Sequence, residues 1–308
     1  MLVSASYKTD IPAFYGEWFM NRLRAGYCLM AHPYDRRKIF RVSLERRDVD
    51  GIVFWTKNVG PFLGSLDEVY GRGYPFVVQY TINAYPRKLE FSVTDPVRSL
   101  RHVEQIARKF GPRVVVWRYD PIVSSSETPV EHHLENFAWL AARLSGITDE
   151  VVVSFAQVYE KTKRNMDSAS REFGFSWRDP SDDEKRDLAR QLLRIASQHR
   201  MRLTVCSQPH LVGSGIEEAH CIDAQRFSAM MGAPIRAELR GARKECGCYA
   251  SRDIGDYDTC PHGCVYCYAV RNRKLAQQRY KAHDPNGEFL FPPRQIVGQE
   301  QQMVLLEQ

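Results

Sequence analysis

The sequence has no long hydrophobic run. None of its apolar stretches approaches the about 20 residues that a membrane-spanning helix needs. Residues 1–8 also lack the basic and then apolar pattern of a signal peptide. We therefore expect a cytoplasmic protein without a membrane partner.

A strong charge of one sign is lacking as well. The formal net charge is only +6, which would help a small anionic substrate to approach. A net charge this small is compatible with a nucleic-acid partner but does not indicate one.

Cysteine, in contrast, is plentiful. The chain has eight cysteines, and five of them lie between positions 246 and 267. Because cytoplasmic thiols stay reduced, these residues are better interpreted as ligands or redox groups than as a disulfide framework. Cys28 is the exception: it stands alone on a helix-like stretch, and we expect it to be a core residue.

Short apolar, β-branched runs alternate with polar, helix-patterned segments through roughly the first 230 residues. Helix starts are indicated by Asp95 before Pro96 and by capping boxes that begin at Thr128 and Ser181. The runs that predict buried parallel strands are 2–6, 51–56, 75–83, 113–118, 150–155 and 202–206.

Six such βα units predict a parallel sheet covered by helices. The sheet would be either a doubly wound open sheet or a full or partial (β/α) barrel. No Gly-x-Gly-x-x-Gly motif follows the first strand, so we favour the barrel. It would occupy residues 1–235, followed by a cysteine-rich segment, 236–282, packed on the barrel mouth, and a tail, 283–308.

Three cysteines lie within eight residues in the stretch Cys260-Pro-His-Gly-Cys264-Val-Tyr-Cys267. A structural zinc site usually takes four ligands as two separated pairs, whereas a [4Fe-4S] cube held by three thiolates keeps one iron open. The alternative is a zinc knuckle completed by His262 or Cys248. That alternative would make the chain a zinc-stapled barrel protein with a binding or hydrolytic function.

The spacing Cys-x3-Cys-x2-Cys, with Tyr266 immediately before the last cysteine, resembles the signature of the radical S-adenosylmethionine (SAM) superfamily. The resemblance implies a (β/α) barrel and an oxygen-sensitive [4Fe-4S] cluster whose open iron binds SAM. It also implies an electron donor such as flavodoxin or ferredoxin, and reductive cleavage of SAM to a 5′-deoxyadenosyl radical. Typical members carry the motif after the first barrel strand, whereas here it follows the sixth βα unit.

The late motif is itself similar to that of a bacterial family of unknown function. The similar stretches are residues 246–269, Trp55-Thr-Lys-Asn and Arg118-Tyr-Asp-Pro. A second resemblance, to spore photoproduct lyase, implies repair or modification of nucleic acid. Its support is the net charge of +6 and the basic stretch 270–280. That stretch would either face an anionic substrate or form a solvent-exposed face of a helix.

Four further cysteines lie outside the three-cysteine motif. Cys206, Cys221, Cys246 and Cys248 together could hold a second, fully ligated iron-sulfur cluster, as auxiliary clusters are held in many radical SAM enzymes. In the alternative, Cys206 and Cys221 are small buried hydrophobic residues. Cys246 and Cys248 would then form a redox pair or half of a zinc site.

Polar residues follow every predicted strand, where a barrel carries its active site. Lys57 and Asp120 are candidate proton donors or bases, and Tyr159 is a candidate hydrogen-atom relay among several tyrosines that could instead only wall the site. The alternative for Lys57 is a solvated side chain or a cap on a helix C-terminus.

Other residues at the strand ends are candidates for holding the cofactor. Arg118 is suited to bidentate binding of the SAM carboxylate or of an acidic substrate, and the alternative is an ion pair with Asp120. Gln79 and Ser154 could hold ribose or amino groups, and Tyr266 would lie beside the cluster.

Overall fold

The computed structural model describes residues 1–32, 35–241 and 245–293. Part of the predicted tail, residues 294–308, lies outside the described residues. The strands within these ranges are β1 (Leu2–Ala5), β2 (Tyr27–Ala31), β3 (Ile39–Ser43), β4 (Gly51–Thr56), β5 (Phe76–Thr81), β6 (Val115–Ile122), β7 (Glu150–Phe155), β8 (Arg202–Val205), β9 (Glu217–Glu218) and β10 (Ser251–Asp253).

The α-helices lie mostly between the strands of the main sheet. They are α1 (Ile11–Phe14), α2 (Gly16–Ala25), α3 (Leu63–Gly71), α4 (Pro96–Phe110), α5 (Val130–Leu144), α6 (Glu160–Phe173), α7 (Asp182–Gln198), α8 (Ala224–Met231) and α9 (Arg273–Lys281). In the described part of the chain, no helix is long and apolar enough to cross a membrane.

Eight strands form one parallel sheet in the order β10-β1-β4-β5-β6-β7-β8-β9. All six predicted strands are confirmed, and the fold is mixed α/β with a large parallel sheet. A doubly wound sheet reverses its direction of winding beside its first strands. Here, strands β4 to β9 follow β1 on one side in chain order, and only β10 lies on its other side.

Two elements differ from the prediction. Cys28 lies on strand β2, which pairs with β3 as an antiparallel hairpin; its helical interpretation is therefore wrong, whereas its burial in the core is confirmed. The edge strands β9 and β10 were not predicted, because runs of two and three residues carry no periodicity. Strand β10 brings part of the cysteine-rich segment into the main sheet beside β1.

The helix caps follow the sequence at two of three positions. Asp95 accepts hydrogen bonds from the backbone N–H groups of Val97 and Arg98, and Ser181 forms the predicted capping box with Glu184. The prediction at Thr128 is wrong, because its hydroxyl donates to the carbonyl of Val123 and α5 begins one residue later, after Pro129.

The two faces of the sheet have different coverings. Helices α1 to α7 pack their buried residues against the face that contains Val3, Phe54 and Trp117. The opposite face, which contains Leu2 and Val53, is covered by Phe227 of α8 and by segments that carry four cysteines. The strands are therefore apolar on both faces, as their near-continuous hydrophobic runs predict.

Helix α8 is fixed to the sheet by charge as well as by packing. Arg226 is buried, and its guanidinium lies 2.6 Å from a carboxylate oxygen of Glu150 and 2.9 Å from one of Asp149. The phenyl ring of Phe227 lies against Gly51 at the start of β4, where an added Cβ would come within 2.6 Å of it. Glycine is therefore required there for close approach.

We predict that Gly51→Ala lowers the free energy of unfolding by about 1–3 kcal/mol, because the new methyl group overpacks the contact with Phe227. Gly64→Ala in α3 is the matched control, since its Cβ would meet nothing within 4 Å, and it should not destabilise the protein. Urea unfolding measures both variants. Phe227→Leu should relieve the Gly51→Ala defect in a double mutant, and strictly additive losses would contradict this packing.

Candidate functional site

The three-cysteine loop, residues 260–267, lies at the carboxyl end of strand β5. Its backbone pairs with the segment after that strand: Ser92 N–H donates to the carbonyl of His262 at 2.9 Å, and Val265 N–H donates to that of Leu89 at 3.1 Å. Gly263 makes the turn with a φ of 78°, a conformation that favours glycine. The loop is therefore held by the sheet.

Residues after β1 and β4 hold the other side of this loop. Tyr15 donates its hydroxyl hydrogen to the carbonyl of Thr259 at 2.6 Å. One carboxylate oxygen of Asp10 lies 2.8 Å from His262 Nε2 and accepts the backbone N–H of Lys57 at 2.7 Å. Asp10 therefore joins the loop directly to the end of β4.

The thiols of Cys260, Cys264 and Cys267 are half-buried and free. Burial is the main cause that raises the pKa of each thiol. Hydrogen bonds act in the opposite direction at two of them: Cys260 accepts the backbone N–H of His262, and Cys267 accepts the N–H groups of residues 269 and 270. At Cys264 the positive charge of Lys57 has the same effect. Each sulfur thus lies near a group that favours its thiolate form.

A buried ion pair lies beside the loop. Lys57 Nζ is 2.8 Å from Glu90 Oε1, and these side chains are 14% and 3% exposed. Tyr266 donates its hydroxyl hydrogen to the same oxygen of Glu90, and Asn83 donates its amide to both residues at 3.3 and 3.2 Å. The positive charge of Lys57 also acts on Cys264 against the burial that raises the pKa of that thiol, so a cation stands next to the thiols.

Arg118 forms a second buried centre of charge. Its guanidinium lies 2.6 Å from Asp120 Oδ2, so the ion pair weighed as the alternative is present. One terminal nitrogen, Nη1, donates to Gln79 Oε1 at 3.2 Å and to the sulfur of Cys221 at 2.9 Å. The guanidinium carbon also lies 5.0 Å from the centre of the Trp55 ring.

Asp120 connects the two centres of charge. Its second carboxylate oxygen accepts the hydroxyl hydrogen of Ser154, and its charge acts on Lys57. Burial lowers the pKa of Lys57, but Glu90, Cys264 and Asp120 raise it, and the net effect is a raised pKa. Lys57 therefore remains protonated at neutral pH.

A second group of thiols lies beyond Arg118. Cys206 Sγ and Cys221 Sγ are 3.5 Å apart. Hydrogen bonds connect Cys221 to Cys248, and Cys248 to Cys246. We call these four residues the four-cysteine group; they lie on the sheet face that α8 covers.

Most of the predicted site residues therefore lie in one region. Lys57 and Tyr266 lie beside Cys264, Gln79 and Arg118 contact Cys221, and Asp120 and Ser154 join this network through Arg118. Tyr159 does not join them, because it is 45% exposed and its hydroxyl bonds to Gln157. In the basic stretch, Arg273 donates to Ser92 Oγ at 2.5 Å and Arg279 to the Tyr257 carbonyl at 2.7 Å. Arg273 also lies against Gly263 of the loop, so both arginines are engaged within the protein.

The sequence analysis missed Glu90 and Asp10, which pair with Lys57 and His262. Glu90 lies between Leu89 and Phe91, but charged and polar residues flank this pair, so the local sequence does not mark Glu90 as a buried charge. Asp10 carries the signal of a helix N-cap, since its side chain accepts the N–H of Ala13, but nothing local indicates its contact with residue 262.

The structure thus defines a parallel α/β protein with two groups of thiols on either side of a buried network of charges. The chain belongs to a family described as a domain of unknown function, DUF1848, which matches residues 2–269. That match includes both groups of thiols. Comparison with curated proteins found no match, and neither did comparison with solved structures.

We predict that Lys57→Met lowers the free energy of unfolding by about 3 kcal/mol, because the carboxylate of Glu90 would stay buried without its cation. The double variant Lys57→Met/Glu90→Gln removes both charges and should recover part of that loss. Guanidinium unfolding compares the two. Equal losses in the single and double variants would contradict the buried pair.

Proposed function

We propose that this protein is a radical SAM enzyme. Its [4Fe-4S] cluster would be held by Cys260, Cys264 and Cys267, and it would start radical chemistry on a substrate still to be identified. The observation that carries the proposal is the three-cysteine loop itself. Its half-buried thiols lie near groups that favour their thiolate forms, at the carboxyl ends of parallel strands.

The donor set of the loop fits a cluster with one open iron. A zinc knuckle would need a fourth ligand, and His262 is engaged through both ring nitrogens, with Asp10 at 2.8 Å and with the Ser92 carbonyl at 3.3 Å. Cys248, the other candidate, contacts Cys221 and Cys246 in the four-cysteine group. Three thiolates, with His262 and Cys248 both engaged elsewhere, favour the cluster over zinc.

We infer that the sheet forms a partial (β/α) barrel. Strands β1 and β4 to β9 are added in chain order, and α1 to α7 cover one face. Right-handed crossovers that always progress in one direction curve a parallel sheet toward a barrel. The face with the four-cysteine group would then line the interior, and the three-cysteine loop would lie at its mouth.

The cluster and SAM, when bound, would supply a 5′-deoxyadenosyl radical. The residues of this chain would orient the reactants and exclude water. Lys57 holds a proton on Nζ beside Cys264, so it is the candidate proton donor. Tyr266, buried and bonded to Glu90, would wall the site next to the cluster. Tyr159 would act as a hydrogen relay only for a substrate that reaches the exposed rim.

Arg118 and Asp120 would shape the substrate side of the site. Gln79 and Ser154 act as positioning residues in this proposal, because Gln79 bonds to Arg118 and Ser154 to Asp120. Asp120 is the candidate base, with Ser154 and Arg118 fixing its carboxylate. We propose an anionic or small-molecule substrate and a flavodoxin or ferredoxin as electron donor; the packing of Arg273 and Arg279 weakens the case for nucleic acid.

We predict that Cys264→Ala abolishes cleavage of SAM, because the loop would hold the cluster with only two thiolates. The chain should stay folded, since Val265 and His262 anchor the loop through their backbones. The measurement is 5′-deoxyadenosine released from SAM and dithionite after anaerobic reconstitution with iron and sulfide, with circular dichroism as the check on folding.

Cys28→Ala is the matched control, because it removes a buried thiol from strand β2 and should leave SAM cleavage intact. A wild-type protein that is colourless, takes up zinc and leaves SAM unchanged would overturn the proposal.

A further inference from the structure

Four cysteines from three separate segments converge on one face of the sheet. Cys206 follows strand β8, Cys221 lies between β9 and α8, and Cys246 and Cys248 precede β10. We propose that these four residues hold a second iron-sulfur cluster with a thiolate on every ligand position. The proposal does not depend on SAM chemistry at the three-cysteine loop.

The thiols contact one another without a gap. The Sγ atoms of Cys206 and Cys221 are 3.5 Å apart. Cys221 is hydrogen-bonded to Cys248, and Cys248 to Cys246. Cys206, Cys221 and Cys248 are buried, and Cys246 is half-buried. Small hydrophobic packing would account for Cys206 and Cys221 alone, but not for the sulfur contacts that continue to a half-buried thiol.

Hydrogen bonds of the backbone hold the segments that carry this group. Ile222 N–H points at Cys248 Sγ at 3.4 Å, and Tyr249 N–H donates to the carbonyl of Ile222 at 3.0 Å. The carbonyl of Gly247 is bonded to the ring of His220. The segments that carry Cys221 and Cys248 are therefore held together by main-chain contacts, and one N–H already faces a ligand sulfur.

Arg118 supplies the charge that such a site needs. Arg118 is itself buried, and its Nη1 lies 2.9 Å from Cys221 Sγ. Asp120 takes the Nε and Nη2 donors of this guanidinium, so Nη1 is the donor that faces Gln79 and the sulfur of Cys221. Thiolates at this group would be stronger acceptors for that donor than neutral thiols.

The arrangement favours a cluster over a single ion. One zinc ion needs all four sulfurs about 2.3 Å from a common point. The sulfur contacts instead run in sequence from Cys206 through Cys221 and Cys248 to Cys246, and within the described residues no three His, Cys, Asp or Glu side chains are arranged to hold a single metal ion. An iron-sulfur cluster spreads its thiolates over more than one iron, so the four sulfurs need not all lie within bonding distance of one ion.

The test separates the two groups of cysteines by metal content. After anaerobic reconstitution, the Cys260→Ala/Cys264→Ala/Cys267→Ala variant should keep about four irons and four acid-labile sulfides per chain, whereas wild type should hold about eight of each. Its absorption and reduced EPR signal should not respond to SAM. Adding Cys246→Ala to this variant should reduce its iron content, while adding Cys28→Ala should not.

The reciprocal variant, Cys206→Ser/Cys221→Ser, tests the proposal independently in case the triple variant fails to fold. It should hold about four irons fewer than wild type, with circular dichroism as the check that it stays folded. A folded triple variant that binds no iron would overturn the second cluster, as would one zinc ion per chain at this group, or a Cys206–Cys221 disulfide found by thiol titration. Loss of SAM cleavage in the triple variant alone bears only on the three-cysteine loop.

Discussion

The guanidinium of Arg118 is the charge around which the interior of this protein is arranged. A buried arginine destabilises a fold by several kcal/mol unless it is paired and hydrogen-bonded. The carboxylate of Asp120 lies 2.6 Å from this guanidinium and neutralises its charge. Gln79 and Cys221 accept hydrogen bonds from its Nη1. Removing any one of these partners would leave a desolvated charge, so the four side chains constrain one another's positions.

That constraint extends to both groups of thiols. On one side Arg118 contacts the four-cysteine group through Cys221. On the other side, the negative charge of Asp120 acts on Lys57, and the positive charge of Lys57 acts on Cys264 in the three-cysteine loop against the burial that raises the pKa of that thiol. A cluster in one group would therefore experience charges that are fixed by the other, which is an arrangement suited to controlling reduction potentials.

The sequence predicted those features that depend on interactions between residues close together in the chain. Parallel strands buried on both faces read as continuous apolar runs, which is why all six predicted strands are present. Cys28 was misassigned because Tyr27-Cys28-Leu29-Met30 suits a helix equally well, and only pairing with residues 39–43 makes it a strand. Thr128 matched a capping pattern, yet its hydroxyl bonds to the Val123 carbonyl and to Ser125 and accepts no N–H of α5.

Contacts across the chain could not be predicted from one sequence. Cys221 and Arg118 are 103 residues apart in the chain, and Glu90 and Tyr266 are separated by 176. Spacing alone grouped the three cysteines of the loop, because they share one turn. For the four-cysteine group the sequence offered only residue types, and tertiary folding supplied the contacts.

Low-temperature EPR of the dithionite-reduced wild-type protein, recorded with and without SAM, tests radical SAM chemistry most directly. A reduced [4Fe-4S] signal whose shape changes when SAM is added is expected, because SAM would bind the open iron beside Cys260, Cys264 and Cys267. A reduced cluster whose spectrum is identical with and without SAM would contradict the proposed function.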